Sequence, residues 1–366
     1  MRWLILYMWL MLAALPVQAK ITVAVIAPKA GLYQKQGAEI TRGAQKAIDE
    51  INESGGLRKE KIELLSIDDQ CSNSIAISTA QMLSILKSRK IGAVIGPYCS
   101  NSFAEAAQIY AKAKIFQIIP TTVNAAHAQT IYKGLIKMLG YTSQQAQDFF
   151  NFYNTHFAGL NVAVVSNISD ADSMAEASEI AAQFQSHGKS ILLRSYTYDM
   201  TKKDYNKLAE KIIENGADMA FLLGSAGNIK KTALALKKIR ADFAVFTNKY
   251  AAGSVYFDYM GDRANGTYFL ELRGNDDPDF AEILVQLRLN GFETDGLSLY
   301  GYAAVELWAG LVKKSGSFDY DKLSAAVKNK KIHTVSGDKF FHNGAPKTNE
   351  GYAIYLYKNG TYDKVY

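Results

Sequence analysis

From residue 20 onward, short continuous apolar runs alternate with amphipathic helical stretches, and the alternation is run through twice. Ile21–Ile26, Ile62–Ile67, Ile91–Ile95 and Ile115–Ile119 have the length of buried strands. Between the first two, Ile40, Ala44, Ala47, Ile48 and Ile51 recur at spacings of 3 and 4, which predicts a helix ended by Gly55-Gly56. Ile77–Leu86 and Phe103–Ala113 read as further helices. Strands apolar on both faces, separated by helices, belong to parallel sheets covered on both sides. The same grammar restarts after Gly140. Helices are expected over Gln144–Tyr153, Met174–His187, Tyr205–Asn215 and Ile229–Ile239, and strands over Val162–Val165, Ile191–Tyr196, Met219–Leu223 and Phe243–Phe246. A third block carries a long helix, Leu299–Lys313, and another near Tyr320–Asn329. Tyr352–Tyr357 and Thr361–Tyr366 flank Asn359-Gly360, the dipeptide of a type I′ hairpin turn. The fold class is α/β, with two units in tandem.

A length of 366 residues suits two or three domains. At 48% apolar and 21% charged residues, a disordered, collagen-like or multi-span membrane chain is excluded. The net charge of +6 comes without a basic block, so it reads as a mixed solvated surface and not as a nucleic-acid interface. The first nineteen residues read as a signal peptide. Arg2 is a one-charge start, Trp3–Leu15 is a 13-residue apolar run, and Val17 and Ala19 are small residues before a cleavage after Ala19. That run is shorter than the ~20 residues that span a bilayer. No cysteine follows it to carry a lipid. The mature chain is expected to be exported and soluble.

Cys71 and Cys99 are the only cysteines and both lie in the exported part. In an oxidising compartment they suggest one disulfide, with two buried thiols as the other reading. Signatures of catalysis are absent. The five histidines are scattered without metal-ligand spacing. Gly188-Lys189-Ser190 resembles the tail of a phosphate-binding loop, but Gln183 stands where the first glycine belongs. No catalytic residue, metal ligand or cofactor is expected. What remains are polar loops at the carboxyl ends of strands, where open α/β sheets bind ligands. These are Gly96-Pro97-Tyr98-Cys99-Ser100-Asn101-Ser102 and Pro120-Thr121-Thr122-Val123-Asn124. They have hydroxyls and free N–H groups for an anion, or simply cap the helices that follow.

The chain resembles the type I periplasmic solute-binding proteins of ABC importers, of the leucine/isoleucine/valine-binding kind. The resemblance is carried by Ala27-Pro28, Gly31, Gly37, Gly43-Ala44, Ala47-Ile48-Asp49-Glu50-Ile51-Asn52 with Gly55-Gly56, Asp68-Asp69-Gln70-Cys71, Ile95-Gly96-Pro97-Tyr98-Cys99-Ser100 and Ile119-Pro120-Thr121-Thr122. It implies two Rossmann-like lobes joined by three crossovers, near Leu139, Tyr268 and Phe341, closing on a ligand. Lobe 1 would be residues 20–139 plus 269–341, and lobe 2 residues 140–268 plus 342–366. The family's disulfide matches Cys71 with Cys99. The expected partners are a small-molecule ligand and an ABC permease, with the chain a monomer. A sensor that presents its ligand state to a membrane receptor is the alternative use of the same fold.

The resemblance also implies site roles. Ser100 matches a position that grips the ligand carboxylate, and Thr122 one that binds largely through its backbone. The next position, usually threonine, is Val123. The second-lobe acid that takes a ligand ammonium falls on Lys249, beside Asn248 and Tyr250, and Ala171 and Ala226 lie where aromatic residues are usual. A lysine cannot accept from an ammonium. Asp170 or Asp172 would have to replace it, or the ligand is an organic acid or other anion. The candidate ligand set is Tyr33, Tyr98, Ser100, Asn101, Thr121, Thr122, Asp170, Asp172, Ser225, Lys249 and Tyr250.

Overall fold

The computed structural model describes residues 20–31, 33–86, 89–121, 132–187, 193–198, 204–248, 254–272, 281–294, 296–328, 331–342, 344–346 and 352–366. The expected signal peptide, residues 1–19, lies outside them.

The first α/β unit is a five-stranded parallel sheet. Its strands are β1 (Lys20–Ile26), β2 (Lys61–Ile67), β3 (Lys90–Ile95), β4 (Gln117–Ile119) and β5 (Leu135–Lys137), in the order β2-β1-β3-β4-β5. They alternate with α1 (Gln34–Glu53), α2 (Asn73–Ile85) and α3 (Ala104–Lys112), the last preceded by a single 3-10 turn at Ser100–Ser102. The apolar runs form strands because both faces are covered: Ile21, Val23 and Val25 lie in one buried cluster, Ala24 and Ile26 in another.

The second unit contains α4 (Thr142–His156), β6 (Val162–Asn167), α5 (Ala171–Ser186), β7 (Leu193–Tyr198), α6 (Tyr205–Glu214), β8 (Met219–Leu222), α7 (Ala226–Ile239), β9 (Ala244–Thr247), α8 (Ser254–Met260) and β10 (Thr267–Leu272). After α9 (Ala281–Leu289), α10 (Ser298–Ser315) and α11 (Tyr320–Val327), β11 (Lys331–Thr334), β12 (Gly337–His342) and β13 (Ala345–Pro346) make a small antiparallel sheet. The chain then returns through β14 (Tyr352–Lys358) and β15 (Thr361–Lys364) to complete a seven-stranded sheet, β15-β14-β10-β9-β8-β6-β7. β14 and β15 add antiparallel, and Asn359 and Gly360 have φ of 52° and 81°, as a type I′ turn requires. Phe149, Phe221 and Phe246 pack ring against ring beneath this sheet, with centroids 4.4 to 4.7 Å apart.

The long helix α10 belongs with the first sheet, although it is distant in sequence. It packs along α1, and two glycines set the approach. A Cβ on Gly43 would stand 1.9 Å from the Ser298 carbonyl oxygen, and one on Gly301 would stand 2.2 Å from that of Ile40. Trp308 on α10 is fully buried against this unit, and a Cβ on Gly92 would strike its ring.

Candidate functional site

The first side of the site is built from the loops that leave β3 and β4. β3 ends at Ile95, and after four intervening residues the chain makes the Ser100–Ser102 turn. Ser100 is buried, at 8% exposure. Thr121, two residues past β4, is also buried, and its Oγ1 donates to the Tyr98 carbonyl at 3.4 Å, tying the two loops together. The Tyr98 ring lies 5.6 Å from that of half-buried Tyr33, at the start of α1. The Cys71–Cys99 disulfide, with its Cα atoms 5.4 Å apart, fixes the residue just before the turn. Behind it, the buried Asp69 carboxylate accepts the Cys71 N–H at 3.2 Å; burial pushes this carboxyl above its ordinary range despite that hydrogen bond.

The second side comes from the carboxyl ends of β6, β8 and β9. α5 of the seven-stranded unit lies against the Ser100–Ser102 turn of the five-stranded unit, so the two meet there. Asp170 precedes α5 and acts as its cap: its carboxylate accepts the Ser173 N–H at 3.3 Å and its carbonyl accepts that of Met174 at 3.0 Å. Asp172 lies in the first turn of α5. Ser225 occupies the equivalent place before α7, and its carbonyl accepts the N–H groups of Asn228 and Ile229. Asn101 is the middle residue of the 3-10 turn. Thr122, Lys249 and Tyr250 lie outside the described residues.

Two residues of this side lay outside the candidate set: Asn248, named only as the neighbour of Lys249, and Glu176. Asn248, which follows β9 and is buried, donates from its side-chain amide to the Glu176 carboxylate at 3.4 Å. Glu176 is half-buried on the second turn of α5. The Asn167 N–H, at the end of β6, donates to the buried hydroxyl of Ser173 at 3.0 Å. One face of α5 is thereby joined to the ends of β6 and β9. The available signal was Asn248 itself, a polar residue directly after an apolar strand. Chemically, the two sides offer hydroxyl and amide groups on one hand and a carboxylate and an amide on the other. Among the described residues no group of three or more His, Cys, Asp or Glu side chains is gathered to hold a metal, and no helix is long and apolar enough to cross a membrane.

Two α/β units that meet over polar loops at the carboxyl ends of parallel strands have the arrangement in which open α/β sheets bind ligands. A family model described as periplasmic binding protein matches residues 20–361, and the chain belongs to that family. It is 27% identical over 345 residues to an amino acid binding protein of Pseudomonas aeruginosa, covering 92% of this chain and 90% of the relative. It is 28% identical over 357 residues to a Leu/Ile/Val-binding protein homolog 1 of Brucella melitensis, covering 93% and 91%. Its fold is similar to that of the branched-chain amino acid transporter substrate binding protein LivJ of Streptococcus pneumoniae, solved with isoleucine. The TM-score is 0.79, at 19% identity over 94% of this chain and 99% of that one. The family is one of substrate-binding proteins and not of enzymes, and it assigns this chain a periplasmic solute-binding role.

Proposed function

We propose that this chain is the substrate-binding component of an ABC importer and captures a small polar or amphipathic organic solute between its two lobes. The observation that carries the proposal is the meeting of α5 with the Ser100–Ser102 turn. A solute seated there touches both units at once. Such a ligand binds the closed arrangement better than the open one, and that difference in affinity is what closes the hinge. The lobes are taken as residues 20–139 plus 273–341 and residues 140–272 plus 342–366; the second crossover, expected near Tyr268, is put just past Leu272, because β10 pairs with β14 as far as that residue. Ser100 and Thr121 serve the solute from the first lobe. Asn248 and Glu176 serve it from the second, with Lys249 and Tyr250 following directly in the chain. The closed monomer then presents both rims to a permease.

The test is a thermal-shift screen of the mature protein against amino acids, organic acids, aromatic acids and nucleobases. A true ligand at about 100 times its Kd stabilises by about 2.7 kcal/mol and raises the melting temperature by several degrees. A screen in which nothing moves the melting temperature contradicts the reading.

A further inference from the structure

The loop that leaves β3 is held at its start by a side chain of the neighbouring strand. Gln117, the first residue of β4, is 1% exposed, and its amide Nε2 donates to the Gly96 carbonyl at 2.9 Å. Gly96 directly follows β3 and still belongs to the ladder through its N–H, which donates to the Ile118 carbonyl at 2.8 Å. Its φ of 106° turns the chain out of the sheet, and a Cβ there would stand 2.1 Å from the Ile26 carbonyl oxygen, so only glycine fits. Next comes Pro97, which has no N–H to offer. Gln117 therefore fixes the last peptide group that the sheet and the loop share.

The glutamine is a poor choice for the fold alone. Alternation along β4 gives it the sheet face of Ile119, which packs with Phe103, Ala107 and Leu135. The other end of its amide, Oε1, is buried without a hydrogen-bond partner. An apolar side chain of the same size would leave no orphaned oxygen there. What the glutamine adds is the bond to Gly96, four residues before Ser100. Two further ties follow along the loop: Thr121 holds the Tyr98 carbonyl, and Cys71 holds Cys99. Both hydrogen bonds come from β4 and its exit, so the loop is clamped to one strand end.

We infer that Gln117 is a positioning residue for the solute site, acting through the Gly96 carbonyl to set the course of the chain to Ser100. This inference rests on the interlobe reading above. Without the amide N–H, the Gly96 carbonyl turns to water and the loop samples other courses. The Ser100 turn then has to be ordered when the solute binds, which lowers affinity.

The experiment compares the mature protein with Gln117→Met, which keeps the volume and removes the amide, and with Gln117→Leu as a second apolar variant. Hydrogen exchange of the ligand-free proteins is followed by mass spectrometry. Calorimetry uses L-leucine, isocaproate, benzoate and adenine as probes. In both variants the amides of Tyr98 to Asn101 are expected to exchange about tenfold faster, with those of β1 and β2 unchanged. Gln117→Met is expected to melt close to the wild type, because it removes the orphaned oxygen together with the bond. Whichever probe the wild type binds is expected to bind both variants about tenfold more weakly, the value of one hydrogen bond. Unchanged exchange in the loop overturns the inference and leaves solute binding intact. Unchanged probe affinity also overturns it, and a lower melting temperature alongside that result assigns Gln117 to the fold alone. A wild type that binds none of the probes removes the interlobe reading and this inference with it.

Discussion

The carboxylate of Glu306 accepts the backbone N–H of Val335 at 2.7 Å, so the middle of α10 holds the turn between β11 and β12. Burial pushes this carboxyl up to about 7, with nearby Glu50 adding to the shift and the Val335 N–H, His333 and Lys313 opposing it. The folded protein thus holds a proton that the unfolded chain, near the ordinary 4.5, gives up more readily. Its contribution is fully present below that ordinary value and is lost as pH rises through the folded one. Over this window the Glu306 contribution falls by about 2–4 kcal/mol. Urea midpoints measured from acid to neutral pH should show this fall in the wild type and a flatter profile in Glu306→Gln, whose amide oxygen can still accept the Val335 N–H. Parallel profiles would remove Glu306 as the cause.

The Cys71–Cys99 bond is expected to be a staple without a part in ligand choice. It closes a loop of 28 residues and fixes the approach to the Ser100 turn. Replacing both cysteines by alanine should cost about 3–4 kcal/mol of stability and leave the order of ligand preference unchanged. Titration of the unreduced denatured protein should find no free thiol, and two thiols would refute the assignment.

Most of the framework was legible because apolar runs of strand length leave little choice of structure. Ile21–Ile26 reads as a strand on its own and is one, and Asn359-Gly360 announces its turn by chemistry. β5 was not anticipated. It has three residues, ends on a lysine, and owes its place to pairing with β4. The loops after β3 and β4 were legible as polar stretches at strand ends. Glu176 was not, because an acid on an amphipathic helix looks like a solvated residue until the fold brings Asn248 to it. Asp170 shows the converse: a carboxylate proposed for a ligand also serves as a helix cap.

Ser100→Ala should weaken the bound solute by about 1–2 kcal/mol, the usual loss when a hydrogen bond to a charged group goes. The protein should keep its fold, because the change deletes a single hydroxyl. Calorimetry with the ligand found in the screen measures this directly, and unchanged affinity would take the Ser100 side chain out of the site.

Leucine, isoleucine and valine should bind more weakly than micromolar. An α-amino acid brings an ammonium as well as a carboxylate, and a dry site must satisfy both. By the resemblance to the family, the position of the second-lobe acid falls on Lys249, and Asp170 caps α5. Like charge near the ammonium costs a factor of a hundred or more, roughly a few kcal/mol. Micromolar or tighter calorimetric binding of any of the three would contradict this. Glu176→Gln would then show whether Glu176 is the acceptor.

The central claim is that one solute bridges the Ser100 turn and α5 and closes the lobes on itself. Small-angle X-ray scattering of the mature protein, with and without the best ligand from the screen, tests it most directly. The account predicts a smaller radius of gyration on saturation. Saturating ligand with no change in the profile would contradict closure by an interlobe solute.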